Sequence, residues 1–500
     1  MTGVIYFVGA GPGDPELITA KGLQILKQAD VVIYDRTIHA QILHHVGKAV
    51  ERIEVGKVAH EEKDAQDKIN RLLVQKAKKG KKVVRLISGD PFIFGKGGEE
   101  AKYLSSQQIP FEIIPGIPLA VAATAYAGIP ITHDHFSTSF TVLKKLEKRN
   151  QENGGYIAKE AGTLLFFIKM RELPNLVEHL LQKGCLPTTP IALIQWGKTM
   201  QQQVVVGNLA DIEGKIGKTS ELPVIAVIGQ VVRLRDQLHW LEKKPLFGKR
   251  VLITRALNQS KGFVEKIRAL GGEPLVFPMV KMVPPQKKQQ LDQALLQLDK
   301  FDWLIFTSVN GVTFFFKRMK EKQIDIRKLA HIKLAAVGPK TKRALEERGL
   351  FVDCMPNQHV AEALVEALRS VVSAGDKVLL PRANIARNVL PSELEKMGCQ
   401  VEEVHAYDTL PAIENAEEVV RALREGSIHF ITFTSSSTVR YFQRAIAKAT
   451  HSWRTLLENV KIICIGPITA QTAKEIGFTV HAVADPYTIE GLVKAIQSSV

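Results

Sequence analysis

Cysteine is scarce in this chain, with four thiols in 500 residues: Cys185, Cys354, Cys399 and Cys464, none of them in a Cys-x-x-Cys pair. That spacing argues against a zinc cluster and against a disulfide framework, and leaves reduced core or surface thiols. Long apolar runs are missing too. No stretch reaches the ~18 residues that a membrane helix requires, and the apolar opening Val4 to Ala10 is interrupted by glycine and lacks a basic leader segment. Nor does any biased tract suggest disorder. Acidic residues are outnumbered, 51 Asp and Glu against 67 Lys and Arg, for a formal charge of +16. Such a balance suits a polyanionic partner (nucleic acid, anionic membrane or a polycarboxylate) or a merely solvated basic surface. With 45% hydrophobic and 24% charged residues, the expectation is a cytoplasmic enzyme of about two to four domains.

What is present begins with VVRLISGDPFIFGKGGEEA, Val83 to Ala101. A β-branched run feeds Gly89-Asp90-Pro91, a second glycine cluster follows, and Glu99 and Glu100 open a helical segment. Strand-to-helix turns of this kind expose backbone N–H groups, and α/β proteins bind small polar ligands there; plain connections use the same residues. A similar turn, GAGPGDP, follows the strand candidate Val4 to Val8. Its G-x-G-x-G spacing is not the G-x-G-x-x-G of a dinucleotide fold, which excludes a nicotinamide site there. VVIYDR puts Asp35 and Arg36 at a strand's carboxyl end. The basic run Lys76 to Lys82 suits a helix C-terminus. Pro115 to His133 predicts a turn, a small-residue helix and another turn, while GTLLFFI (from Gly162) and LPVIAVIG (from Leu222) look like strands covered on two faces.

In this order and spacing, GAGPGDPELIT, YDR, VGK, SGDPFIFGKGGEEA, AGIPITH and PVIAVIGQVVRL resemble the tetrapyrrole methylase family, and within it uroporphyrinogen-III C-methyltransferase, over residues 1–240. The resemblance implies two α/β lobes with S-adenosylmethionine between them, and two methylations of uroporphyrinogen III to precorrin-2 on the way to sirohaem or cobalamin. By the same resemblance Asp35 matches the general base and Lys57 the general acid. Pro12, Ser88, Gly89, Asp90, Ile93 and Gly197 match positions at the cofactor, and Arg36 and Arg85 are set to meet substrate carboxylates. A homodimer through this half is also implied.

The departures from the family gather around the expected cofactor. Its Lys-Gly-Gly-Asp-Pro is Ile87-Ser88-Gly89-Asp90-Pro91 here, and its Thr-Ser-Ala is Pro118-Leu119-Ala120. Its Thr-Gly-His is Val142-Leu143-Lys144, its Met-Gly is Ile168-Lys169, and the Arg after Thr-His is Asp134. Lysine at a glycine position would set bulk and positive charge against a sulfonium. Two readings therefore stand: an active methylase half, or one that keeps the fold as a binding or scaffold module.

Residues 241–248 are polar and carry Pro245 and Gly248, a linker composition. Beyond them lies an internal repeat. Val251 of VLITRA and Val378 of VLLPRA are 127 residues apart, as are Phe306 and Phe433 of the two FTS motifs, and Gly338 and Gly466 of the Gly-Pro-x-Thr motifs are 128 apart. ITRA, FDWLIFTSVNGV, AAVGPKT, KVLLPRA, EVHAYDT, ITFTSSSTVRYF, CIGPITAQTA and YTIEGL resemble uroporphyrinogen-III synthase. That implies two flavodoxin-like lobes, one from residues 249–283 and 409–500 and one from 284–408, joined by a two-stranded ladder. The implied reaction is cofactor-free cyclisation of hydroxymethylbilane with inversion of its last ring.

A substrate with eight carboxylates calls for distributed donors. The candidates are Thr307, Ser308, Asn310, Gly338, Thr341, Thr434, Ser435, Ser436 and Thr469, with Arg255, Lys340 and Arg382 adding charge. Tyr407 matches the tyrosine that helps the hydroxyl leave; a packed hinge aromatic is the alternative. The partners expected are small tetrapyrroles, with no metal, membrane or nucleic acid, since the basic residues are dispersed and not interleaved with aromatics.

Overall fold

The computed structural model describes residues 2–38, 40–43, 45–47, 49–56, 62–144, 162–195, 202–216, 223–358, 361–384, 388–412 and 416–500. Two compact units emerge, residues 1–249 with 267–273 and 500, and residues 250–266 with 274–499.

The first unit carries two sheets. Strands β1 (Ile5–Gly9), β2 (Val31–Asp35), β3 (Glu51–Val55), β4 (Val83–Ile87) and β5 (Phe111–Ile114) form one in the order β3-β2-β4-β1-β5. Every pairing in it is parallel. β4 is buried along its whole length, because helices such as Glu62–Lys78 and Gly97–Ser106 cover the sheet. Parallel strands need crossover connections, so these helices follow from the topology. The second sheet, β6 (Phe140–Leu143), β7 (Thr163–Lys169), β8 (Pro190–Gln195), β9 (Gln203–Asn208) and β10 (Pro223–Ile228), runs β6-β7-β10-β8-β9. Only β6 and β7 are parallel; the other pairings are antiparallel. The apolar runs in β7 and β10 are therefore central strands of a mixed sheet. The small-residue segment is the helix Leu119–Tyr126, ended at Gly128 with φ 69°, where a Cβ would lie 2.3 Å from the Leu238 carbonyl oxygen.

In the second unit the two repeat units exchange strands. The strands are β11 (Arg250–Ile253), β12 (Glu273–Val276), β13 (Val280–Val283), β14 (Trp303–Phe306), β15 (Lys333–Ala336), β16 (Lys377–Ala383), β17 (Gln400–Pro411), β18 (Phe430–Phe433), β19 (Lys461–Cys464) and β20 (Val480–Val483). They form two sheets, β12-β11-β18-β19-β20 and β13-β17-β16-β14-β15. Offsetting by the repeat, β11 corresponds to β16, β14 to β18 and β15 to β19. Yet β11 pairs with β18, and β16 with β14. Each sheet thus combines the opening strands of one repeat with the later strands of the other. β13 and β17 pair antiparallel from Val280↔Pro411 to Val283↔Asp408, the two-stranded ladder where the chain passes between sheets.

The core beside β18 is aromatic. Phe433 is fully buried, with ring centroids 5.4 Å from Phe442 and 5.9 Å from Phe478. Truncating it leaves a cavity that the neighbouring strands cannot collapse to fill. Phe433→Ala is expected to destabilise the second unit by about 3–5 kcal/mol. Urea unfolding followed by hydrogen exchange should show peptides of residues 430–480 opening earlier while those of β1 to β5 keep their protection.

Candidate functional site

In the first unit, the carboxyl ends of β1, β4 and β5 are brought so close that only glycine fits. A Cβ at Gly9 would lie 2.6 Å from Gly116, and one at Gly116 would lie 2.2 Å from the Gly89 carbonyl oxygen. Gly89 has φ 69° and pairs with Gly11 across a short bridge. What remains at this sheet edge is bare main chain. The Asp90 carboxylate fixes the turn beyond it, accepting hydrogen bonds from Phe92 N at 2.8 Å, Ile93 N at 3.1 Å and Gly116 N at 2.9 Å. Ser88 and Ile93 sit on this same turn. Pro12 lies in the facing GAGPGDP loop, which Asp14 anchors by accepting from Glu16 N and from the Tyr126 hydroxyl, both at 2.9 Å. Burial, and then the Asp14 charge, push the Tyr126 phenol up from its ordinary value, so it stays a donor.

Asp35 ends β2 with its side chain 30% exposed. Arg85 Nη2 reaches Asp35 Oδ1 at 2.7 Å, while Nε and Nη2 meet Glu100 at 3.0 and 3.2 Å and Nη1 donates to the Leu86 carbonyl at 3.3 Å. Burial opposes the charged guanidinium, but Glu100 and then Asp35 more than offset it, so Arg85 is held above its ordinary value. Its donors are thus turned inward, unlike those of Arg36, whose exposed side chain meets Glu54 at 3.2 Å. Lys57 and Gly197 lie outside the described residues.

The altered positions also have definite places. Pro118 precedes the helix Leu119–Tyr126 without a side-chain cap. Lys144 Nζ donates to the Phe94 carbonyl at 3.3 Å, and the Phe94 ring packs edge-on against Phe167 at 5.7 Å. Phe94 adopts φ 55°, an unfavourable backbone region for a bulky residue. Lys169 is exposed at the end of β7, its N–H donating to Glu172 at 2.9 Å. The Gly89–Phe94 turn and the β6–β7 end therefore meet, and the turn offers a main-chain cradle that fits a small polar cofactor.

In the second unit, each candidate hydroxyl or glycine stands where a buried strand passes into a helix. Ser308 caps Val309–Glu321 by accepting from Gly311 N at 3.0 Å, and Ser435 caps Ser436–Ala449 in a reciprocal box with Thr438. Gly338 and Gly466 precede helices that both start with proline at the positive end of the helix dipole. Ser436 Oγ accepts from Thr472 at 2.8 Å. Thr307 and Thr434 end their strands half-buried; Asn310, Thr341 and Thr469 are buried in first turns, and Lys340 is exposed.

Tyr407 is 7% exposed. Its hydroxyl lies 3.2 Å from Ser308 Oγ, and its ring stacks on Phe314 at 5.5 Å and 16°. Arg382 is buried and bound to Glu403 at 2.7 Å. Arg255 donates to Gln259 at 3.0 Å, and burial lowers its guanidinium from the ordinary value. Sequence reasoning missed Glu100, Gln259 and Phe314. Glu100 had a signal, a carboxylate in a helix's first turn beside a buried strand bearing arginine.

The first unit thus has one glycine-cradled sheet edge, and the second has hydroxyl-capped helix starts on each of its two sheets. Residues 4–213 match the family of tetrapyrrole (corrin/porphyrin) methylases, and residues 261–494 match uroporphyrinogen-III synthase HemD. A porphyrin biosynthesis protein HemD of Ruminiclostridium josui is 35% identical over 499 residues, covering 98% of this chain and 97% of that protein. The uroporphyrinogen-III C-methyltransferase of Bacillus subtilis is 36% identical over 355 residues, 70% of this chain and 72% of its own. Among solved structures, a uroporphyrin-III C-methyltransferase of Thermus thermophilus is 33% identical with TM-score 0.40, covering 46% of this chain and all of its own. The chain belongs to the porphyrin-biosynthesis family in which a tetrapyrrole methylase domain is joined to a uroporphyrinogen-III synthase domain.

Asp90→Ala would strand three main-chain donors, at about 1–3 kcal/mol for each that stays buried. Hydrogen exchange of residues 91–96 is expected to accelerate while that of β4 does not change.

Proposed function

We propose that the chain is bifunctional: its second half cyclises hydroxymethylbilane to uroporphyrinogen III, and its first half methylates that product to precorrin-2. The division proposed is a methylase domain to residue 240, a linker over 241–248, and synthase lobes of 249–283 with 409–500 and of 284–408. The observation that carries the synthase reading is the Tyr407–Ser308 contact at the edge of a sheet whose strand ends also bear Thr307 and Gly338.

Ring closure begins when the carbon–oxygen bond of the hydroxymethyl group breaks and the pyrrole nitrogen supplies electrons to the cation that forms. The Tyr407 hydroxyl, aligned by Ser308 and by stacking on Phe314, donates a proton so that water leaves. The substituted carbon at which the ring closes carries no proton, so its older bond to the neighbouring methylene bridge breaks; that methylene bonds the free α-carbon of the same ring, and the proton this carbon loses returns to Tyr407. Closure at the substituted carbon is a matter of holding the chain folded. Thr307, Ser308, Asn310, Gly338, Lys340, Thr341, Thr434, Ser435, Ser436, Thr469 and Arg255 would hold its carboxylates through N–H, hydroxyl and cationic contacts. Arg382, expected to add charge to this set, is buried against Glu403 at 2.7 Å.

For methylation, S-adenosylmethionine supplies an electrophilic methyl. Pro12, Ser88, Gly89, Asp90 and Ile93, with Gly197, would hold it along the bare edge of β1 and β4. Asp35 would accept the proton that the alkylated tetrapyrrole releases, Lys57 would return one, and Arg36 would meet a substrate carboxylate. A second reading keeps this half as a tetrapyrrole-binding module without turnover. The Lys144 contact to Phe94 favours it, since that contact draws a cation to the turn where a sulfonium is expected.

Feeding hydroxymethylbilane with and without S-adenosylmethionine, and identifying products by mass, tests both halves. Uroporphyrinogen III in both arms and its dimethylated derivative in one is the expected result. Unmethylated product in both arms, with no calorimetric binding of S-adenosylmethionine, would establish the second reading. Tyr407→Phe is expected to lower synthase turnover several-fold without abolishing it; full activity in the coupled assay rejects Tyr407 as the donor.

A further inference from the structure

Arg85 and Glu100 are buried charges that the reaction outlined above does not use directly. Arg85 is 3% exposed in the middle of β4, and Glu100 is 0% exposed in the first turn of Gly97–Ser106. Gln66, from the helix Glu62–Lys78, donates to Glu100 Oε1 at 2.9 Å and completes its shell. Taking two such charges out of water costs several kcal/mol per ion, and an apolar pair of similar volume often serves stability as well or better. Packing alone therefore gives no reason for ions at these two positions.

The sheet register supplies one. Arg85 lies opposite Ile33 on the neighbouring strand β2, and side chains two residues apart on a strand share a face. Asp35 is thus the next side chain on that face beyond Ile33, within reach of the guanidinium. Of its two oxygens, Oδ1 is taken by Arg85 Nη2 at 2.7 Å. Glu100 takes Nε and shares Nη2 with Asp35, and the Leu86 carbonyl accepts from Nη1, so the guanidinium cannot swing. A fork held on two edges transmits orientation, which a lysine, as a point charge, would not.

We propose that Arg85 and Glu100 form a positioning pair that locks the Asp35 carboxylate at the end of β2, with Oδ1 pinned and Oδ2 left to accept the proton. The assignment rests on the methylation reading. It makes Arg85 a residue that acts through Asp35, not a ligand of substrate carboxylates, and it gives the buried Glu100 a role in the chemistry.

Removing both charges together with Arg85→Met and Glu100→Leu avoids stranding either one. In the full chain, kcat for methyl transfer to uroporphyrinogen III is expected to fall about 10–100-fold, the scale of losing base alignment, with KM and the calorimetric Kd for S-adenosylhomocysteine within about twofold of wild type. If that protein does not fold, Glu100→Gln keeps the shape and loosens one edge of the fork; kcat should then drop several-fold at constant Kd. Wild-type kcat in the folded variant overturns the proposal while leaving methylation intact, as does a Kd that weakens in parallel with kcat, which would mark a merely structural role. Absence of turnover in the wild-type chain defeats the methylation reading itself, and this proposal with it.

Discussion

Parallel pairing is the constraint from which the rest follows. A parallel strand returns only through a crossover, so every strand of such a sheet ends at the same edge, and all its turns gather there. In the first unit that edge is where β1, β4 and β5 press Gly9, Gly89 and Gly116 together. The second unit has two such edges, one where β14 hands over to Ser308 and one where β18 hands over to Ser435. These edges are products of one rule of sheet geometry, with different residues at the turns. Glycine leaves main chain bare in the first unit, whereas capping serines and Gly-Pro helix starts stand at the strand ends of the second.

Charge is distributed with a similar economy. The chain has a formal excess of +16, but the arginines that sit deepest are not free for ligands. Arg85 is engaged by Glu100 and Asp35, and Arg382 by Glu403. Burial makes this unavoidable, because a guanidinium in low dielectric must be paired. Arg36 and Lys340 lie at the surface. Arginine content alone therefore overstates the number of carboxylate contacts either site can make.

Much of the fold was legible before any coordinates. Strand candidates at Val31 to Arg36 and Val83 to Ile87 could be seen because β-branched runs ended in Gly, Asp or Pro, and the helix over 119–126 because small residues lay between two turns. The two-sided burial of β7 and β10 was legible as well, but not that they pair antiparallel, since apolar runs look the same in either direction. Arg85 shows the limit for site residues. Its side chain alternates with apolar neighbours along β4, and only the packing of two helices above it turns it away from solvent. Glu100 was equally hidden, since an acidic residue in a first turn is ordinarily a solvated partner of the helix dipole.

Local pattern carried the strand-to-turn junctions named above, the turn chemistry at them and the 127-residue repeat, all of which are local or periodic properties of the chain. The repeat leaves open that β11 lies beside β18 and β16 beside β14, an exchange implied only by the resemblance to the synthase, and its register comes from the tertiary structure. Tertiary structure alone joined Tyr407 to Ser308, 99 residues apart, and Asp35 to Arg85 and Glu100 on separate elements. Hydrogen bonds and ion pairs across such separations are fixed by register and packing, which no local pattern encodes.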